Sequence, residues 1–288
     1  MASQELATLQ RKANFEQYFS NTIKYIILTF SALLVFIPVI PVILGSFKEE
    51  LDFYTSGITE LPKVWTMQNY ITAFNEGGMV RGFLNTFFIL VVSVTISVLL
   101  GAMTAYVLHR FVFRGKKFLK NLFLFAALVP TVTNNISVFQ IISSIGLFNT
   151  RMAGIILFSG TDIIAVYIFL QFLDNISSSI DESAMIDGAN YFSIFFKMIL
   201  PLLGPAIATV AIIKGVGIYN DFTTSFLFMP KPDLAMISTS LYAFKGPYGS
   251  EWNVICAGVL IITIPMLVIF LSMQKTIYRA LVSGSVKE

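Results

Sequence analysis

The sequence predicts an all-α, membrane-spanning fold, and three observations carry that prediction. Hydrophobic residues make up 56% of the 288 residues and charged ones only 12%, about half the roughly 25% charge of a soluble domain. The mean hydropathy is +0.79. Six apolar stretches, 23–45, 84–108, 119–143, 153–174, 196–220 and 253–275, reach the length of about 20 residues that a spanning helix needs. Backbone groups inside a bilayer must be satisfied within the segment, so these runs are helices. Their length, without short alternating segments, argues against a transmembrane barrel.

Residues 1–22 form an N-terminal segment in which Leu6, Leu9, Ala13 and Phe19 are spaced among charges. That pattern suits an interfacial helix, and a disordered tail is an equal alternative. The first apolar run, Ile23 to Phe47, is too long for a signal-peptide core and lacks a small-residue cleavage site, so it is a retained span. With the polar outer loop 46–82, which carries Pro62 and Trp65, it makes up a first section, 23–82. A core section follows over 83–276, containing a polar loop at 176–197, and 277–288 is a tail. Pro38, Pro41, Pro130, Pro201, Pro205 and Pro265 punctuate four of the runs and are expected to bend them. No internal repeat or low-complexity tract is visible, so a single domain is the simplest division.

Lys and Arg set the orientation. Arg110, Arg114, Lys116, Lys117 and Lys120 lie in the loop after the second run. Arg11, Lys12 and Lys24 flank the N-terminus, Lys275, Arg279 and Lys287 the C-terminus, and Lys197 shares their side. The other side holds only Lys48, Lys63, Arg81, Arg151, Lys231 and Lys245, although its loops are longer. Both termini and the 175–195 loop are therefore expected in the cytoplasm. The net charge of +3 comes without a basic stripe interleaved with aromatics, so nucleic acid is not an expected partner. One cysteine, Cys256, and one histidine, His109, supply neither an internal disulfide nor a metal site.

Polar residues at membrane depth are costly and draw the eye. Lys214 stands inside the fifth run, seven residues before Asp221, with Tyr219 and Asn220 between them. Asn134, Asn135 and Gln140 form a second set in the third run, and Thr161 and Asp162 lie near the outer half of the fourth. Two readings stand for these groups. They line a translocation pathway, for which amides suit hydroxyl-rich solutes, or they bond helix to helix.

The loop between the fourth and fifth runs reads Glu182-Ser183-Ala184-Met185-Ile186-Asp187-Gly188-Ala189, with Leu200-Pro201 beyond it. Ser179 or Asp181 is placed to cap a short helix, with Glu182 completing a capping box. Ala184 and Gly188, four apart, share a face that small residues leave low and smooth. Gly188 also suits a positive backbone angle that ends the helix.

These residues resemble the Glu-Ala-Ala-x3-Gly-x9-Ile-x-Leu-Pro loop of ABC importer permeases, with Glu182, Ala184, Gly188, Leu200 and Pro201 in register. Ser183 stands for the first Ala and Met198 for the Ile. Asp187, Ala189 and Phe195 also match the form found in carbohydrate importers of the maltose type. Tyr219-Asn220-Asp221-Phe222 resembles the Trp-Asn-Asp/Glu-Phe of the same permeases, with Tyr219 for Trp. The ending Gln274-Lys275 through Ala280-Leu281-Val282-Ser283-Gly284-Ser285-Val286-Lys287 is similar to their Gln-Arg-x4-Gly-Leu-x-x-Gly-x-Val-Lys. The resemblance spans roughly 70–288.

The resemblance implies a six-helix importer fold of type I in a prokaryotic plasma membrane. A coupling helix over 181–192 would meet an ATPase through Glu182, Ser183, Ala184, Asp187, Gly188 and Ala189. Ser283, Gly284 and Ser285 would reach the same partner. The implied partners are a second, homologous permease, two ATPases that bind ATP and Mg, an external solute-binding protein and membrane lipid. This chain itself binds no cofactor in that scheme and lacks a Gly-x4-Gly-Lys-Ser/Thr loop, so it is not expected to be an enzyme. Two alternatives remain open: an importer of another small polar solute, and an ion-gradient transporter, which would call for an inverted repeat around midplane carboxylates.

Overall fold

A computed structural model describes residues 2–128, 131–161, 163–246 and 249–283. It is 78% helical, and no strand occurs among the described residues. The chain forms two compact units, Met1–Ala73 with Gly246–Leu260, and Phe74–Lys245 with Ile261–Glu288.

In the first unit, α1 (Ala2–Phe36) runs unbroken through the segment expected to end near 22. A bend of 40° separates it from α2 (Val39–Ser46), because Pro38 lacks the N–H that would continue the ladder. The expected polar loop contains α3 (Glu50–Thr55) and α4 (Gln68–Glu76). Asn69 holds this unit together: its Nδ2 donates to the carbonyls of Ser46 at 2.9 Å and Lys48 at 2.7 Å, while its Oδ1 accepts from Asn253 at 2.9 Å. Lys48, counted above among outer surface charges, is instead 2% exposed. Its ammonium donates to Ser56 Oγ and the Gly57 carbonyl at 2.7 and 2.8 Å, which offsets its desolvation.

The second unit is built on α5 (Met79–Arg110), which packs against four other helices. Ser93, Ser97, Gly101 and Ala105, four residues apart, form a buried stripe. Small residues there let neighbouring backbones approach; a Cβ on Gly101 would sit 3.3 Å from the Phe169 ring. After α6 (Lys116–Leu128) and α7 (Thr131–Ser144), Thr150 caps α8 (Arg151–Ser159) by accepting from the Ala153 N–H at 3.3 Å. A 44° bend then leads to α9 (Ile163–Leu173). Next come α10 (Ser179–Ile186), α11 (Tyr191–Ile194), a π-helical turn at Phe195–Ile199 and α12 (Leu200–Leu202).

The fifth run is not one kinked helix. It turns by 77° between Tyr191–Leu202 and α13 (Gly204–Asn220). The corner lies at Leu203, two residues past the expected Pro201. Pro205 sits in the first turn of α13, where a missing N–H costs nothing. Two short helices follow, α14 (Thr223–Phe228) and α15 (Ile237–Ser240), before α16 (Trp252–Ser283), which contains Pro265 and extends into the expected tail.

Among the described residues, Met79–Arg110 and Trp252–Gln274 are each long and apolar enough to cross a membrane, and three bent pairs qualify when each is taken as one span. The runs 23–45, 153–174 and 196–220 are thus broken rather than straight. The 119–143 run falls on α6 and α7, and Pro130, like Asp162, lies outside the described residues.

Candidate functional site

The loop singled out by its sequence is fastened at its base by charge. Asp181 does not cap α10, and neither does Ser179; the N-cap position belongs to Ser178, which makes no side-chain bond there. Asp181 instead turns inward, 5% exposed. Its Oδ1 accepts from Tyr106 Oη at 2.6 Å, and its Oδ2 pairs with Arg110 Nε at 3.0 Å. Arg110 Nη2 also donates to the carbonyls of Ile176 and Ser177 at 2.7 and 3.3 Å. Beside it, His109 Nε2 lies 2.9 Å from Asp174 Oδ1. Tyr106, His109 and Arg110 are all at the C-terminal end of α5, so that end grips the whole approach to α10. A charge pair taken out of water is tolerable only when its remaining donors are used, and here Arg110 uses them on backbone carbonyls.

The far end of α10 is closed by its backbone. Gly188 has φ +82°, and its N–H donates to the Met185 carbonyl at 3.0 Å while the Ala189 N–H reaches back to Ala184 at 2.9 Å. This is the two-bond glycine termination of a helix. No atom lies within 4 Å of where a Gly188 Cβ would be, so inside the chain glycine is required for its backbone angle, not for space. Asn190 then caps α11, accepting from the Ser193 N–H at 2.8 Å.

The smooth face expected from Ala184 with Gly188 does not form. Ala184 is 4% exposed and belongs to the core that holds Tyr106, Ile194 and Phe195. The outward surface consists of Glu182, Ser183, Met185, Ile186, Asp187 and Gly188, with Ala189 half-buried. Ile186 stands at its tip, 87% exposed.

Among the described residues, the polar side chains of α13 and just beyond it go to separate partners. Lys214 Nζ donates to the Gly160 carbonyl at 3.0 Å, and Ser97 Oγ donates to the same oxygen at 3.1 Å. That carbonyl is freed by the break between α8 and α9, so two side chains from other helices satisfy it. Tyr219 is buried and donates to the Ile262 carbonyl at 2.7 Å. Asp221, one residue ahead of the α14 N-cap position, accepts from the Thr224 N–H at 2.7 Å and from its hydroxyl at 3.1 Å. Asn220 faces an otherwise mostly apolar groove of about 320 Å³ shared with Ile212, Val216 and Thr263. Asn134 and Gln140 are exposed and Asn135 half-buried on α7. Ser283 ends α16, and Gly284 and Ser285 lie outside the described residues.

Sequence reasoning missed the Tyr106–Asp181–Arg110 cluster. Arg110 passed as one charge in a basic loop and Asp181 as a helix-start acid. The one available sign was an acid adjoining Glu182 in one loop and an Arg at the end of the second apolar run, ahead of another loop.

Helices of membrane-crossing length, with bends at Pro38, Gly160 and Leu203 among the described residues, define an integral membrane protein. The chain belongs to the family of binding-protein-dependent transport system inner membrane components, whose pattern matches residues 69–283. It is 30% identical over 261 residues to the arabinooligosaccharides transport system permease protein AraQ of Halalkalibacterium halodurans, covering 90% of this chain and 93% of that protein. It is also 30% identical to the galactooligosaccharides transport system permease protein GanQ of Bacillus subtilis, over 94% and 97% of the two chains. Against the probable starch degradation products transport system permease protein AmyC of Thermoanaerobacterium thermosulfurigenes, identity is 28% over 96% and 100%. In fold, it matches a chain from the crystal structure of a bacterial ABC transporter involved in the import of the acidic polysaccharide alginate. The TM-score is 0.76 at 20% identity, covering 88% of this chain and 95% of that one.

Proposed function

We propose that this chain is one of two different transmembrane subunits of an ATP-driven importer for a sugar or oligosaccharide. It sits in a prokaryotic plasma membrane with both termini inside. Its six spans are α1–α2, α5, α6–α7, α8–α9, α11–α13 and α16. The observation that carries the reading is the α10 turn: Glu182, Ser183 and Met185 to Gly188 face outward in the register of a coupling loop, on a base locked by Asp181 to α5. The names of the similar permeases support sugar as the cargo class.

In this reading, two partner ATPases bind ATP and Mg and close on each other, pulling Ile186 and its neighbours with them. The pull passes through the Asp181–Arg110 pair into α5, which packs on α8, α9 and α13. A bundle with two packed arrangements then exchanges its inward opening for an outward one. The turn moves as a piece because Gly188 ends it without slack. The external solute-binding protein delivers the sugar, and this chain supplies part of the path.

Affinity purification from the native membrane tests the proposal. An ATPase, a second permease and sugar accumulation by the reconstituted complex are expected. Purification as a lone chain that takes up solute on an ion gradient would overturn it.

A further inference from the structure

At the end of α5 away from Arg110, the second unit encloses a cavity of about 600 Å³. At 1.5 Å per residue, the 32 residues of α5 span about 48 Å. That exceeds a hydrocarbon core of about 30 Å, so in the importer reading this cavity opens outside. Its wall combines two kinds of group. Tyr242 and Phe226 meet edge to face with centroids 4.8 Å apart, and Phe222 stacks on Phe226 at 5.2 Å and 15°. Tyr242 is 45% exposed and Phe226 38%. The polar members are Glu76, Arg81 and Thr239, with the buried Ser225 and Ser240. Arg81 is ion-paired with Asp233. Thr239 donates to the Met236 carbonyl at 3.0 Å and keeps its oxygen lone pairs for a donor. Glu76 makes no side-chain hydrogen bond or ion pair among the described residues.

We propose that this cavity is a sugar-binding subsite, taking one end of a neutral oligosaccharide at the outer mouth of the permease. The proposal rests on the importer reading above and adds a place where this chain itself holds cargo. A pyranose or furanose ring has an apolar C–H face, which packs on exposed aromatic rings. Its adjacent hydroxyls are donors, which the Glu76 carboxylate accepts, and acceptors, which a guanidinium serves. An apolar occupant such as an acyl chain would strip water from Glu76 and give nothing in return. The Arg81–Asp233 pair leaves no uncompensated positive charge to select an anion. The volume lies within the range of roughly 300–1,000 Å³ for small-molecule sites, enough for a disaccharide-sized segment.

The test uses the complete transporter, with its second permease and ATPases, in lipid nanodiscs. Maltotriose, arabinotriose and galactobiose are screened for uptake. The sugar that is accumulated is then titrated against the transporter without the solute-binding protein, by saturation-transfer NMR. Weak binding is expected, in the range of about 1–10 mM, and Tyr242→Ala and Glu76→Gln should each weaken it about tenfold or more. Phe226→Leu, which keeps the bulk, should weaken it less than Tyr242→Ala. If a sugar is accumulated but does not bind, or if both variants bind it like wild type, the subsite is refuted while the importer reading stands. If the variants impair capture of the solute-binding protein and leave sugar binding intact, the surface belongs to that protein and the proposal fails. If no sugar is accumulated, the cargo reading and the subsite fall together.

Discussion

The α10 turn and the polar residues of α13 carry similar chemistry and do opposite things with it. Around α10 the charged side chain that matters is hidden: Asp181 is paired with Arg110 and Tyr106, while Glu182, Ser183 and Met185 to Gly188 stand outward. Along α13 and just beyond it, Lys214, Tyr219 and Asp221 spend their hydrogen bonds inside the chain, on a broken helix, on α16 and on the start of α14. The first region uses buried polarity to present a surface; the second uses it to hold the bundle together. A polar residue in a membrane helix therefore has to be traced to its partner before it is assigned to a pathway.

The contrast is broken most severely at Asp181. Asp181→Ala leaves the Arg110 charge buried and unpaired, which costs about 3–5 kcal/mol. Thermal unfolding of the purified complex should show that loss, with uptake abolished. The double variant Asp181→Leu with Arg110→Met should recover most of the stability, since an apolar pair of similar volume often substitutes for a buried ion pair. If the single variant unfolds and transports like wild type, the pair does not seat the turn.

Next in size is Gly188→Asp. A side chain at φ +82° strains the backbone by about 1–2 kcal/mol, and the chain itself has room for the atoms. Uptake should fall to background while membrane insertion and unfolding temperature change little, because the added bulk and charge meet the partner. Lys214→Met removes one of two donors to the Gly160 carbonyl and should cost about 1–2 kcal/mol, the usual range for a polar contact between membrane helices. Uptake per folded transporter should stay near wild type. A selective loss of uptake with unchanged unfolding would move Lys214 from the bundle to the pathway. The smallest effect is expected from Tyr219→Phe, which loses the single bond to Ile262 and about 0.6 kcal/mol.

Most of the helical layout was legible because membrane helices announce themselves by length: the runs ending at Leu108 and beginning at Asn253 became α5 and the apolar part of α16. Breaks were legible only where proline marks them, as at Pro38. The turn at Leu203 fell beyond Pro201 because Pro205 fits the first turn of a new helix better than the middle of an old one. The break at Gly160 has no proline at all. Its cost is met by Ser97 and Lys214 from distant parts of the chain, and such compensation leaves no local pattern. The Gly188 ending could be read from one residue, since it depends on one residue's backbone angle. Ala184 was misplaced for the complementary reason. Which face of a short helix points inward is decided by what lies beneath it, here Tyr106 and Phe195. Lys48 repeats the lesson: a lysine near a membrane edge looks like a surface charge until Ser56 and Gly57 fold over it.

The central claim, that the α10 turn is where an ATPase takes hold, is tested most directly by site-specific crosslinking. With Cys256 replaced by Ser, a single cysteine at Ile186 is reacted in native membranes with a short bifunctional reagent. A covalent product between this chain and an ATPase is expected, formed at different yields with and without ATP. A cysteine at Ile186 that is labelled by an impermeant reagent from outside the cell, or that yields no ATPase product from an assembled and transporting complex, would contradict the account.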